Sequence, residues 1–311
     1  MFAKISKFLA FIIALAIFAV PAYLKLTERS SAKENSTVVI LPTPTQEVSP
    51  SPSLLSTPLQ TPNLKDIVEN SLRDAPGTYG IVIQNLRTGE NYFYNEHTSF
   101  NAASLYKLWV MAQTFDQIQK GLLSENDILS QDIQVLNSEF DIDPSYADQT
   151  LGTVTMSTDD ALNKMITVSD NDAALLLSDK LTLSSVSDFL SKNNFQESRL
   201  GEPPVTTPYD IAMFFEKLYS GELADSDSTW KMTDLLKKQA LNGKIPKYLP
   251  PETVIAHKTG EIDTYTHDAG IVYSPKGDYV IVIMTESDSP DETQERIARL
   301  SRSVYDYFSK T

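Results

Sequence analysis

Phe100-Asn101-Ala102-Ala103-Ser104-Leu105-Tyr106-Lys107 sets a serine three residues before a lysine. On a helix, positions i and i+3 are neighbours on one face. A neutral lysine amine beside a serine hydroxyl is a base beside a nucleophile, which a lone serine needs in order to react. The residues that follow favour a helix. Leu105, Leu108, Trp109, Ala112, Phe115 and Ile118 recur at helical spacing, and Gly121 is a stop signal. The spacing therefore predicts Ser104 in the first helical turn, at the positive end of the helix dipole. Its backbone N–H, lacking an intrahelical partner there, could bind a developing oxyanion.

Ser-x-x-Lys also occurs at Ser30 to Lys33 and at Ser228 to Lys231. The first lies in a polar linker and the second before a surface-like helix. Ser104 differs because two further elements lie downstream, Ser169-Asp170-Asn171 and Lys258-Thr259-Gly260. Ser-x-Asn itself is common here, beginning also at Ser99, Ser124 and Ser191. Only Ser169 falls in a turn between helical segments, after the Ser104 helix and before the Lys-Thr-Gly strand. A helix N-cap would by itself explain the Ser and Asp. Lys-Thr-Gly follows the apolar strand Val254-Ile255-Ala256. Gly260 there would let a substrate backbone approach, Thr259 offers a hydroxyl, and Lys258 offers a cation for an anionic group.

Working outward, strands sit at both ends of the globular region. Gly80-Ile81-Val82-Ile83 and Tyr92-Phe93-Tyr94 read as a hairpin around Arg87-Thr88-Gly89-Glu90. Strands return at 253–256, 269–273 and 279–284, the last two joined by Ser274-Pro275-Lys276-Gly277-Asp278. Helical patterns occupy 161–165, 172–181, 210–219 and 229–241 between them. Leu64, Ile67, Val68 and Leu72 mark a first helix, and Ile297, Leu300, Val304 and Phe308 a last one. The expected fold is α/β. The terminal strands combine into one antiparallel sheet, since hairpins alone are marginal. The terminal helices cover one face of it, and the helical middle forms a second lobe with a cleft between.

Upstream, Lys4 and Lys7 precede an apolar run over 8–24, which reads as a signal anchor or signal peptide ending near residue 26. An uncleaved anchor fits the charged flanks, with the N-terminus inside. Small residues around Ala19-Val20-Pro21-Ala22 leave cleavage and secretion as the alternative. Residues 27–63 are a linker dense in Pro, Ser and Thr, unable to bury enough apolar surface to order itself. The globular domain is expected over 64–311, outside the cytoplasmic membrane and tethered to it through the N-terminal segment.

The 311 residues are 41% hydrophobic and carry a formal net charge of −15, which disfavours nucleic acid as a partner. There is no Cys, which excludes disulfides and thiolate metal sites. His97, His257 and His267 lack ligand spacing, so neither metal nor cofactor is expected.

Ser-x-x-Lys, Ser-Asp-Asn and Lys-Thr-Gly, in that order, are the signature set of class A β-lactamases and penicillin-binding proteins. From about residue 64 the chain resembles that superfamily, and the class A form fits best. Asn101-Ala102-Ala103-Ser104, Thr206-Thr207-Pro208 and His267-Asp268-Ala269-Gly270 add to the likeness. The resemblance implies a β-lactamase/transpeptidase-like fold and an acyl-enzyme mechanism. Ser104 would be acylated, with Lys107 as its base or proton relay. Ser169 would pass a proton to the leaving nitrogen, and Asn171 would hold the substrate's amide side chain. Lys258 and Thr259 would bind the substrate carboxylate. The N–H groups of Ser104 and Glu261, the residue after Gly260, would form the oxyanion hole. Repulsion from Lys258 would lower the Lys107 pKa. Asp268 is expected to brace the strand turn locally.

One departure matters. Class A β-lactamases present a deacylating Glu in a Glu-Pro-x-Leu-Asn motif on a long loop before Thr-Thr-Pro. Here residues 195–205 replace it with a markedly shorter stretch that keeps only Glu202-Pro203. The expected activity is therefore β-lactam acylation and hydrolysis with slow deacylation. The alternatives are a D-Ala-D-Ala carboxypeptidase acting on peptidoglycan peptides, or a non-catalytic domain that binds cell wall or β-lactams.

Overall fold

The computed structural model describes residues 63–142 and 147–310. The apolar N-terminal run and all but the last residue of the Pro/Ser/Thr linker lie outside them. Among the described residues no helix is long and apolar enough to cross a membrane.

The chain enters through α1 (Leu64–Leu72), capped by Asn63, whose side-chain oxygen accepts the Asp66 N–H at 2.9 Å. It then forms β1 (Thr78–Asn85) and β2 (Asn91–Tyr94), which pair antiparallel. Next come β3 (Phe100–Asn101), a 3-10 turn (Ala103–Tyr106) and α2 (Lys107–Gln119). The middle of the chain runs β4 (Ile128–Asp132), α3 (Ile133–Glu139), β5 (Thr153–Ser157), α4 (Thr158–Thr167), α5 (Asn171–Leu181) and α6 (Leu183–Lys192). It continues through β6 (Val205–Thr206), α7 (Pro208–Ser220) and α8 (Ser226–Lys237). Three strands, β7 (Val254–Ile262), β8 (Tyr265–Tyr273) and β9 (Tyr279–Glu286), lead to the last helix, α9 (Pro290–Lys310).

The terminal strands unite as expected, in one antiparallel sheet of order β2-β1-β9-β8-β7. Alternate residues of β9 serve two cores, because successive side chains of a strand point to opposite faces. Ile281 and Ile283 join Leu64, Val68, Ile297, Leu300, Val304 and Phe308 under the terminal helices. Val280, Val282 and Met284 face the helical lobe.

The lobe departs from its expected all-helical form in two places. β4 and β5 make a two-stranded sheet, and β3 pairs with β6. β4 and β5 each bury a single residue, Leu129 and Val154, so they lack the alternation that reveals a strand. α2 differs in another way. Its apolar stripe is buried, but so are Val110, Met111, Gln113 and Thr114. The helix runs through the lobe rather than over its surface.

β7 and β8 extend well beyond the strands legible in the sequence. They form one long hairpin closed at Ile262 and Tyr265 around Asp263 and Thr264. Lys258-Thr259-Gly260 thus lies inside β7, an edge strand, rather than after it. Ser228 and Lys231 fall within α8, where Lys231 is paired with Glu125 and Asp227 at 2.8 and 2.9 Å.

Candidate active site

Four elements converge on the serine. β3 ends at Asn101, whose side-chain oxygen accepts the Ala103 N–H at 2.9 Å. Ala103 takes φ +44°, which turns the chain sharply just before Ser104. Ser104 consequently sits on the 3-10 turn that precedes α2, not in the first turn of α2 itself. The turn rests on β7. A Cβ added at Gly260 would lie 3.2 Å from both the Ala102 carbonyl oxygen and Leu105 Cγ. Gly260 therefore gives room to the 3-10 turn that carries Ser104.

Lys107, the first residue of α2, is completely buried. Its Nζ donates to the Ser169 carbonyl at 2.6 Å and to Asn171 Oδ1 at 2.8 Å, with Ser169 Oγ at 3.3 Å and the Asp170 carbonyl at 3.4 Å. Burial pushes its pKa down to about 7, against the opposing pull of Asp170 and Asp148. Repulsion between the two buried lysines is mutual and is felt at Lys258 as well. Lys258 is held well below its ordinary range first by burial, then by Lys107 and by Lys244. A neutral Lys107 has two N–H groups, and Ser169 O and Asn171 Oδ1 match them, which leaves its lone pair uncommitted. Among the described residues the Ser104 hydroxyl has no hydrogen-bond partner of its own.

Ser169 lies between α4 and α5 at φ +61°. Asp170 is the N-cap of α5, its carboxylate accepting the Ala173 N–H at 2.8 Å. Capping thus accounts for the Asp of the triplet but not for the Ser. The Ser169 hydroxyl is approached by both amines, with Lys258 Nζ at 3.0 Å and Lys107 Nζ at 3.3 Å. Asn171 gives its oxygen to Lys107 and keeps its amide N–H groups for another acceptor.

The backbone of β7 supplies the remaining donors. In an antiparallel ladder the pair that closes a two-residue hairpin exchanges both bonds, and the next pair points its backbone groups outward. Ile262 and Tyr265 close this hairpin, so Glu261 and Thr259 turn their N–H and C=O groups to the open edge. The Thr259 carbonyl accordingly accepts Lys258 Nζ at 2.9 Å.

The sequence reading gave two participants no role in the site. Lys244 lies between α8 and β7, buried to 1% exposure, with its Nζ on Glu261 Oε1. His267 Nε2 donates to the Asn101 carbonyl at 2.8 Å, while its Nδ1 accepts the Thr285 N–H at 3.0 Å. This fully buried ring clamps the strand before Ser104 to β8 and β9, and burial lowers its pKa to about 4. Asp268 reaches further than a local turn. One oxygen pairs with His257 at 2.8 Å and the other accepts the Ile245 N–H at 2.9 Å.

The shortened stretch forms a small hairpin. Arg199 and Val205 exchange backbone hydrogen bonds of 2.9 and 3.0 Å, and Phe195 is buried beneath. The Pro204 carbonyl accepts the Ala102 N–H at 2.8 Å, so the returning limb runs beside the nucleophile turn. Glu197 is tied to His97 at 2.9 Å and to the Thr207 hydroxyl at 2.7 Å. Glu202 lies on the hairpin's far bend, exposed, without a partner among the described residues.

The model of a family described as "Beta-lactamase enzyme family" matches residues 63–308. A β-lactamase from Bacteroides uniformis is 25% identical over 279 residues, covering 79% of this chain and 92% of the relative. β-Lactamase VEB-1 from Pseudomonas aeruginosa is 24% identical over 285 residues, covering 80% and 91%. Among solved structures, a mutant of PBP-A in an acyl-enzyme complex with penicillin G superposes with a TM-score of 0.70 at 25% identity. It covers 80% of this chain and 96% of that one. A β-lactamase from Sphaerobacter thermophilus gives the same TM-score at 22% identity, covering 80% and 97%, a likeness of fold.

Proposed function

The chain belongs to the beta-lactamase enzyme family, and from that membership we propose a serine hydrolase that is acylated at Ser104 by β-lactams and clears the acyl-enzyme slowly. The observation that carries this reading is the Ser169 hydroxyl held between the Lys107 and Lys258 amines, with Lys107 brought to about 7. The Lys107 lone pair takes the Ser104 proton as Oγ attacks the lactam carbonyl. The oxyanion that forms is met by the Ser104 and Glu261 N–H groups. As the C–N bond breaks, Ser169 delivers its hydroxyl proton to the leaving nitrogen and is reprotonated by Lys107, which carries the proton taken from Ser104. Asn171 donates to the substrate's side-chain amide, and Lys258 with Thr259 faces the substrate carboxylate. An arriving anion favours the charged form of Lys258 that burial opposes.

Slow clearance rests on the 195–205 hairpin. Glu197 is engaged with His97 and Thr207, and Glu202 is exposed and without a partner among the described residues, so the hairpin fixes neither carboxylate for activating water on the ester. Intact-mass spectrometry after mixing with benzylpenicillin tests the proposal. A mass gain of one ligand on Ser104 that decays over minutes supports it, and no adduct together with no hydrolysis refutes it.

The same hairpin favours a second reading, D-Ala-D-Ala carboxypeptidase activity, which a D-Ala release assay separates from the first. We place the domain outside the cytoplasmic membrane because of the charged and apolar N-terminal sequence and the linker after it. Protease added to intact spheroplasts should remove the domain, and protection until lysis would contradict this.

A further inference from the structure

A negative charge stands at the end of Lys-Thr-Gly, the element proposed above to face the substrate carboxylate. Glu261 follows Lys-Thr-Gly directly, and its backbone N–H faces the open edge of β7. Along a strand, side chains two apart share a face, so the Glu261 side chain stands on the side of Thr259. There it meets Lys244. The two are unequal partners, for the Lys244 side chain is 2% exposed and that of Glu261 56%. Lys244 is also held firmly. Its neighbour Ile245 gives its N–H to Asp268 at 2.9 Å, and Asn242 Oδ1 lies 3.1 Å from His257 Nε2. Lys244 lies close enough to Lys258 to help lower the pKa of that residue. A rigid, buried cation on the Thr259 face of β7 is a receptor for a carboxylate, and the carboxylate already in it is the protein's own.

We propose that Glu261 is a specificity-determining residue whose side-chain carboxylate occupies the Lys244 cation in place of a substrate carboxylate. The site is thereby biased toward acyl donors that are neutral on the leaving-group side. The inference rests on the acyl-enzyme reading above. An anionic donor must displace Glu261 from Lys244 and put two carboxylates side by side, whereas a neutral donor leaves the pair intact. Removing the Glu261 charge reverses the preference. It leaves Lys244 buried without a counter-ion, a state that binding an anion relieves.

The test compares benzylpenicillin with its methyl ester, one ligand with and without the carboxylate charge. Second-order acylation rates at Ser104 are read by intact mass, and the quantity of interest is the acid-to-ester ratio within each enzyme. Glu261→Gln and Glu261→Ala should each raise that ratio roughly tenfold or more, the scale expected when a like charge is removed from beside a bound anion. A ratio unchanged or lowered in both variants, with acylation intact, would overturn the role of Glu261 and leave the acyl-enzyme reading standing. No acylation of the wild type by either ligand would overturn both.

Discussion

The nucleophile side and the 195–205 hairpin border the same serine and are built in opposite ways. On the nucleophile side, polar atoms from α2, the α4–α5 turn and β7 lie 2.6–3.4 Å apart, and both lysines are fully buried. On the hairpin, one glutamate is consumed in holding the base of the loop and the other faces solvent. Acylation needs donors and a base fixed around Ser104. Deacylation needs, in addition, a base fixed near the water that attacks the ester. The difference teaches that the two arrangements can vary independently, because separate segments supply them.

The largest effects should come from the nucleophile side. Ser104→Ala should abolish labelling by a fluorescent penicillin, and labelling retained in that variant, or found at Ser30 or Ser228, would break the comparison at its root. Lys107→Ala should slow acylation by ~10²–10⁴-fold, the scale for losing a general base. The wild-type acylation rate should rise as pH climbs through about 7, because deprotonation then frees the Lys107 lone pair, and level off above it. A flat profile across pH 6–8 would assign the base elsewhere.

A smaller effect concerns the clamp that holds the nucleophile turn. His267 stays neutral in the folded protein down to about pH 4, while an unfolded histidine takes a proton near 6.5. As pH falls through that window the unfolded state gains a proton that the native state refuses, and stability falls. The depression corresponds to about 3 kcal/mol, lost between pH ~6.5 and ~4. Urea unfolding at pH 7 and pH 4.5 should show a smaller drop in His267→Gln than in the wild type. Equal drops would mean that the ring takes up its proton without breaking the clamp.

The contrast between the two regions also governs what was legible in the sequence. The fold could be read because strands at both ends and helices between them leave few ways to close a sheet. Ser104, Lys107, Ser169 and Lys258 could be read because three short motifs carry them at fixed spacing. Lys244 could not, since it sits in an irregular segment and gains its place only when Asp268 and His257 pin that segment to β7 and β8. Nor could the cause of the Lys107 shift. Repulsion by Lys258 was the reading from sequence, but burial dominates, and burial depends on α2 running through the lobe. Nor could the packing of Gly260 against the nucleophile turn, because what a glycine makes room for is a matter of tertiary packing.

The smallest expected effect falls on the hairpin and bears most directly on the contrast. A deacylating base must hold a water against the acyl carbon, and its carboxylate must itself be held. Without such a base a barrier rise of ~3–5 kcal/mol is reasonable, or about 10²–10⁴ in rate. The wild type should therefore show a burst with penicillins followed by slow turnover. Glu202 is the one carboxylate of the hairpin without another partner, and the returning limb is anchored two residues away, where the Pro204 carbonyl takes the Ala102 N–H. That anchor brings the hairpin alongside the nucleophile turn, yet nothing among the described residues orients the Glu202 side chain toward Ser104. Glu202→Gln should accordingly change turnover by less than about tenfold, well under the loss of a general base. The decisive measurement is pre-steady-state hydrolysis of penicillin by both proteins. If the wild type shows no burst and Glu202→Gln accumulates acyl-enzyme, the hairpin folds its far bend over the ester, and the two regions form one catalytic unit rather than an intact half beside a reduced one.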